Sequence, residues 1–452
     1  MQIAATRPLF AWDCLEDSPS LRTIKHLLAC IPDGTLLADL RRRRHRGRND
    51  YPVHVLWGVV LLRIVLRHVS FEAVLGELRR NAGLRTLIGI PSEAGVPKAW
   101  NVSRFQEVLG QEPHRTQMQE IFNGMVQRLS HVVPDLGVHT AGDATALHGR
   151  AKKSKKAVAA EIREGLAQPT GGRKEYTDDE GNVTRVVAWF GYKLHLLVDA
   201  KHEVSLAYRT TSANASDGHT LPALLPQAQA NVGESRMQTL AYDMAADDGK
   251  IHQRLAKAQI RPVIKNRRLW KDEFERLLPG HDGTSHVVYD EAGTLYCYDH
   301  VSSTPVKHRM SYIGYEPQRQ TIKYRCPARH EGWTCPSEAV CNAGKSYGKT
   351  VRVDSKVDLR RFPPIPRATK KFERLYRGRS AVERVNGRLK MFWGVDDGNI
   401  TGARRFYGMV GAVMVVHVAF ATLLAAAPRR EGTLGRLHLG PIQKALQASG
   451  ST

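Results

Sequence analysis

The sequence predicts an α/β protein whose mixed layer is interrupted by a β-rich insertion and preceded by a helical, basic N-terminal module. Three observations carry this. Residues 136–265 alternate short β-type runs with helical runs, the pattern of an α/β layer. Residues 267–365 break that order, being rich in Tyr, Arg and Thr with many turns, which suits short antiparallel strands inserted into the layer. Residues 1–130 read as helical, and a chain of 452 residues is long enough for two or three domains. The expected division is 1–130, 131–266, 267–366, 367–427 and a tail, 428–452.

Charge narrows the partner. There are 67 Lys and Arg against 44 Asp and Glu, a net charge of +23, and the pI is near 9.9. A surface of that sign suits a polyanion such as double-stranded DNA, which carries one charge per roughly 1.7 Å of axis. Six cysteines at irregular spacing exclude a disulfide scaffold. Residues 1–30 lack a basic start followed by an apolar run and a small-residue cleavage site, so a cytoplasmic protein is expected, associated with the nucleoid when bound to DNA. The apolar run 408–427 has the length of a membrane span, but His417, Thr422 and its many Ala and Gly residues favour a buried packing helix.

Taken in order, Arg41, Arg42, Arg43 and Arg44 open a cationic run reaching Arg48, read as an exposed loop and a candidate phosphate clamp. An apolar helix is expected over 53–69, then one capped by Ser70 with Phe71, Val74, Leu75 and Leu78 inward, then one over 103–109. Such short helices beside a basic run suit a DNA-binding module. A strand is expected over 136–145, interrupted by Gly142 and ending around Asp143, and a mobile polar loop over 149–182. Strands at 186–198, 204–210, 240–243 and 261–265, with helices at 218–231 and 249–258, complete the layer. Residues 367–427 return to helix, and the tail is expected to be poorly ordered.

Residues 376–390 carry the clearest chemistry. Placed on one helix with Tyr376 at zero, Arg379, Glu383 and Lys390 fall at about 300°, 340° and 320°. Ala381, Val382, Val385, Leu389 and Phe392 fall on the opposite, apolar side. One acid thus projects from a cationic stripe: residues 360–390 hold eleven Lys and Arg against two Glu. A carboxylate among cations suits a metal held beside a phosphate, since Mg²⁺ takes one or two carboxylates plus phosphate oxygens. Partner acids are expected at strand ends of the α/β layer, where ligand groups converge, and Asp143 and Asp243 are the candidates.

Tyr376, Arg379, Glu383 and Lys390, with two, three and six residues between them, resemble the Tyr-Arg-Glu-Lys signature of bacterial DDE-type insertion-sequence transposases. Asp143 in its Ala-Gly-Asp-Ala-Thr context resembles the first acidic motif of that family, and residues 191–199 and 211–217 resemble the strands that follow it. Residues 243–247 resemble the second acidic motif, but Ala245 and Ala246 stand where the family has Gly-Tyr, which keeps Asp247 and Asp248 open as alternatives to Asp243. Residues 46–109 resemble the family's helical N-terminal domain. The resemblance implies an RNase H-like catalytic domain with an insertion between the second Asp and the Glu. It implies Asp143, Asp243 and Glu383 as catalytic residues and ligands of two Mg²⁺ ions, with Mn²⁺ able to substitute, and Tyr376, Arg379 and Lys390 as DNA contacts. Transposon ends and target are the implied DNA partners, bound by a homodimer that cuts and joins strands.

Two readings remain open on sequence. Cys297, Cys326, Cys335 and Cys341 have spacings wider than zinc knuckles use, which favours reduced structural cysteines over a metal site. Trp333 suits packing, with stacking on a displaced base as the alternative. A different function class, a transposase-derived DNA-binding regulator without catalysis, shares every feature except an active metal site.

Overall fold

The computed structural model describes residues 19–45, 50–178, 182–271, 274–278, 286–299, 301–397, 400–426 and 434. Helices α1 (Pro19–Ala29), α2 (Gly34–Arg44), α3 (Val53–Val65), α4 (Phe71–Arg80), α5 (Ala82–Leu87), α6 (Ala99–Leu109) and α7 (His114–Val132) come first. Ser70 caps α4 by accepting the Ala73 N–H at 3.1 Å, and Val74, Leu75 and Leu78 are buried. The expected helix over 53–69 stops at Val65, and Arg67 leaves the helix with φ of 60°. Arg41 to Arg44 form the last turn of α2 rather than a loop, where four cations complement the C-terminal end of the helix dipole. Arg46 and Arg48 lie outside the described residues.

The central sheet contains β1 (His139–His148), β2 (Thr170–Thr177), β3 (Val183–Asp199), β4 (Ser205–Ser212), β5 (Thr239–Tyr242) and β6 (Arg261–Ile264). Its order is β2-β3-β1-β5-β6, with β4 on the free edge of β3. β3 runs antiparallel to β1, β2 and β4, whereas β5 and β6 run parallel to β1. β1 does not end at Asp143. It continues to His148 because Asp143 through His148 stay paired with Leu196 through Gly191 after β5 has stopped. Nor does Gly142 interrupt it: a Cβ there would stand 2.4 Å from the Tyr242 ring, so glycine lets that buried ring cross the strand. The expected loop over 149–182 instead holds α8 (Lys155–Arg163) and β2, which extends the outer half of β3 as a hairpin. Buried Glu161 ties α8 down by accepting from Lys152 at 3.1 Å and from the Ala403 N–H at 3.2 Å.

Helices α9 (Asp217–Val232) and α10 (Gly249–Lys257) flank β5. The insertion forms one sheet of β7 (Arg276–Leu277), β8 (Val287–Tyr289), β9 (Leu295–Tyr298) and β10 (Lys307–Arg309), and another of β11 (Ser311–Glu316), β12 (Thr321–Arg325) and β13 (Thr350–Asp354). Short α11 (Pro327–Glu331) and α12 (Glu338–Cys341) connect β12 to β13. The chain then returns through α13 (Lys370–Arg377), α14 (Ser380–Met391) and α15 (Ala403–Ala426).

Two cores result. The larger joins the N-terminal helices, the central sheet and α13 to α15, and the smaller lies inside the insertion around Val287, Leu295, Ile322 and Tyr324. α15 is long and apolar enough to cross a membrane, yet 78% of its apolar window is buried within the protein, against α6, α7 and α3. Its His417 Nε2 accepts the Ser205 N–H at 3.2 Å, which gives that ring nitrogen a partner inside the core. Of the tail, Leu434 alone is described, and it is buried.

Candidate active site

Strand register places the first two acids. Ala141 of β1 pairs with Ala241 of β5, so Asp143 and Asp243, each two residues further on, stand at the same level of adjacent parallel strands. Tyr242 pairs with Ile264 of β6, which extends the row to Lys265. Asp143 is largely buried; its Oδ1 accepts the Ala144 N–H at 2.9 Å. Burial pushes its carboxyl above the usual range, the Ala144 N–H and Arg379 oppose this, and the charge of Asp243 reinforces it. Asp243 caps a short turn over Met244–Ala246 by accepting the Ala245 N–H at 3.0 Å.

The third acid arrives on a broken helix. Residues 376–390 are not one continuous helix as the sequence suggested: α13 ends at Arg377 and α14 starts at Ser380. Between them the N–H groups of Gly378, Arg379, Ala381 and Val382 bond three residues back, a tightened turn. The break resets the helical wheel. Ala381, Val382, Val385 and Leu389 are still buried, with α14 against β1 and β3, but Phe392 is exposed. Arg379 sits in the turn and bridges the site. Its guanidinium donates to Asp143 Oδ2 at 3.3 Å and also to Glu383 Oε1. Tyr376 is half-buried, stacked on Phe372 with Lys265 5.0 Å above its ring, and burial together with Asp243 and Asp143 raises its hydroxyl pKa against the pull of Arg379. Tyr376, Arg379, Glu383, Asp143 and Asp243 therefore share one site.

Lys390 stands apart. Its Nζ donates to the Ala146 carbonyl at 2.7 Å and lies 3.4 Å from Asp396, about 10 Å further along β1 than Asp143. Arg384 and Arg388 bond Glu203 in the β3–β4 turn, so part of the cationic surplus holds α14 on the sheet. Arg41 to Arg44 lie elsewhere: Arg43 and Arg44 line a groove of about 670 Å³ with Lys98, Trp100 and Arg104. Arg42 pairs with Asp39 at 2.9 Å, while Arg43 bonds Gln111 and Arg44 the Tyr51 carbonyl.

The alternative acids are otherwise engaged. Asp247 is buried and accepts from His252 (3.1 Å), the Arg267 N–H (2.7 Å), Arg360 (2.8 Å) and Arg367 (3.1 Å). Burial alone would raise its pKa, but these donors outweigh it and hold the carboxyl below its usual range. Asp248 caps α10 through the Lys250 N–H at 2.8 Å. Lys265 and Lys174 escaped the sequence reading. Lys265 was detectable as the residue following β6, whereas Lys174, close enough to stabilise the Asp143 carboxylate, comes from the hairpin strand β2. Trp333 packs on His308, ring centroids 4.8 Å apart, and its indole N–H donates to Glu331 at 3.2 Å.

Among the described residues no three His, Cys, Asp or Glu side chains surround a common ion position as they stand. At the acids the reason is Arg379, whose positive charge lies between Asp143 and Glu383. Two carboxylates at one level of neighbouring strands, one disfavoured as an anion by burial and by the other, fit a divalent cation by charge and donor type. No curated protein matches the chain. The family model described as the transposase DDE domain matches residues 139–419, which run from the start of β1 into α15.

Proposed function

The chain belongs to the DDE transposase family, whose members are metal-dependent enzymes acting on DNA, and on that premise we propose that it is the transposase of an insertion sequence, cutting and joining element ends. The observation that carries this reading is the meeting of Asp143 and Asp243 on adjacent parallel strands, with Glu383 linked to Asp143 through Arg379. The sheet order β4-β3-β1-β5-β6, three antiparallel strands followed by two parallel ones, supports an RNase H-like catalytic layer, with the insertion between Asp243 and Glu383.

Asp143, Asp243 and Glu383 would hold two Mg²⁺ ions, and Mn²⁺ would serve in their place. Such a pair supplies charge stabilisation for the attacking and leaving oxygens of an in-line displacement. The chain's own residues prepare the site. Asp143 is fixed in β1 by pairing with Leu196, and Asp243 is fixed by its cap. Glu383 is exposed and sits one turn from the α13–α14 break, so it can turn toward the strands when Arg379 takes a phosphate instead. Arg379 can grip that phosphate with two parallel hydrogen bonds, and Tyr376 can donate its hydroxyl. Terminal inverted repeats would reach from this site to the separate basic turn Arg41 to Arg44, and joining two ends calls for a homodimer on DNA.

The test is a cleavage and joining assay on DNA carrying the element's ends, with and without Mg²⁺. Metal-dependent cutting followed by joined products supports the reading. Tight binding of ends with no cutting in Mg²⁺ or Mn²⁺ would make the protein a transposase-derived regulator.

A further inference from the structure

The insertion gathers four cysteines that the sequence spreads over 45 residues. Cys297 lies on β9 of the four-stranded sheet. Cys326 follows β12 of the three-stranded sheet, Cys335 lies between α11 and α12, and Cys341 ends α12. All four line one cavity of about 20 Å³, room for a single water-sized body, together with His286, Asn342 and Lys349. All four are free thiols. Cys341 Sγ is 3.4 Å from His286 Nε2, and Asn342 donates to Cys326 Sγ at 3.8 Å. Wide spacing argues against a local knuckle, but here β9 and the connection from β12 to β13, not one short loop, bring the sulfurs together.

We propose that Cys297, Cys326, Cys335 and Cys341 bind one Zn²⁺, which clips the insertion's two sheets to each other. Four thiolates around Zn²⁺ carry a net charge of −2, and the ammonium of Lys349, which lines the same cavity, offsets part of it. As free thiols the four side chains pack as small apolar groups, not around a common point. Binding exchanges four protons for the ion and draws the sulfurs to about 2.3 Å from it. Thiolate is the right donor for zinc, four sulfurs complete a closed structural site, and the small cavity suits one ion better than an iron–sulfur cluster. The need is also visible. Among the described residues the insertion's own core is a ten-residue cluster, and small units with few buried side chains are commonly held by a metal. His286 is a neighbour rather than a ligand, since the four thiols already fill a tetrahedron.

This inference does not depend on the active-site reading, and its test does not use DNA cleavage. Full-length protein purified in reducing buffer without added metal is analysed for zinc, then titrated with a mercurial thiol reagent. One zinc per chain, released in step with modification of four thiols, is the expected result. Reloading with Co²⁺ should give the thiolate charge-transfer and visible bands of a tetrahedral all-sulfur site. Cys297→Ser and Cys341→Ser should lose most of the zinc, and His286→Gln should keep it. Should the serine variants misfold, the mercurial release from the unmodified chain still decides. Zinc-free folded protein, disulfide-paired cysteines, bound iron with sulfide, or zinc that resists thiol modification would each overturn the proposal.

Discussion

Arg379 donates to Asp143 across 3.3 Å, joining a turn late in the chain to a strand 236 residues earlier. The same guanidinium holds Glu383 on the next turn. It thus stands against both acids, and under the proposed function it has to move before they can meet a cation. Arg379→Ala should weaken binding of end DNA and slow cleavage together. Glu383→Ala should keep or improve binding, because it removes a negative charge near the backbone, while cleavage is lost. Gel-shift titrations and cleavage time courses on the same DNA check both. Equal loss of binding in the two variants would mean that the turn serves the fold and not the DNA.

Asp143→Asn, Asp243→Asn and Glu383→Gln should each reduce cleavage to the level of a metal-free control, since each removes, at nearly constant shape, a carboxylate that the proposed function assigns to the metal. Circular dichroism and thermal melts should stay close to those of the parent for Glu383→Gln, whose side chain is more than half exposed. Normal cutting by the Asp243 variant would remove that residue from the site.

Asp247 should behave oppositely. Its carboxylate faces Arg360 and Arg367 in a buried network, and breaking a buried pair from one side costs about 3–5 kcal/mol. Asp247→Asn should therefore lower unfolding free energy by several kcal/mol in a urea titration. Stability unchanged within error, with cleavage abolished, would recast Asp247 as a metal donor.

Much of this was legible in the sequence, for reasons that differ by element. Alternation and turn residues marked β3, β4, β5 and β6 because hydrophobic period is a local property. The spacing of Tyr376, Arg379 and Glu383 marked the site because i, i+3 and i+7 positions converge even across a tightened turn. What could not be read was non-local. β1 continues past Asp143 only because β3 offers partners, and nothing within residues 170–177 announces that β3 is long enough to pair with them. Helix 376–390 looked continuous because Gly378 is tolerated inside helices, and the bonds that tighten the turn leave no trace in composition. The four cysteines looked scattered because linear spacing cannot report that the connection from β12 to β13 meets β9 around one cavity.

Acid should destabilise the protein through two histidines. His195 and His417 are fully buried, and burial lowers their pKa values to about 4 and about 3. A folded-state pKa below the unfolded value of about 6.5 means that the unfolded chain binds more protons below that pH, so stability falls as pH falls. Each histidine should contribute a slope of about 1.4 kcal/mol per pH unit, or roughly 2 kcal/mol by pH 5. Urea midpoints at pH 7 and pH 5 test this, with His417→Asn as the comparison that should flatten the slope. A parent protein equally stable at both values would contradict a neutral His417 packed beside Ser205.

The Arg41 to Arg44 turn tests where DNA lies. Each phosphate neutralised contributes about 0.9 to the slope of log affinity against log salt. Arg42 is paired with Asp39, and Arg43 and Arg44 are bonded to Gln111 and Tyr51, but exposed pairs of this kind are worth at most about 1 kcal/mol and can be exchanged for phosphate. Replacing all four arginines with Ala should therefore reduce the magnitude of the slope by between about 1 and 4, while leaving cleavage chemistry at Asp143 intact once DNA is saturating. Arg43 and Arg44 share their groove with Lys98 and Arg104, so Lys98→Ala with Arg104→Ala should reduce the slope further, adding to the first change because each cation meets its own phosphate. Fluorescence anisotropy on one DNA across a salt series reads both. An unchanged slope in the four-arginine variant would show that this helix end faces solvent in the complex and that the DNA path follows the α13–α14 side of the molecule alone.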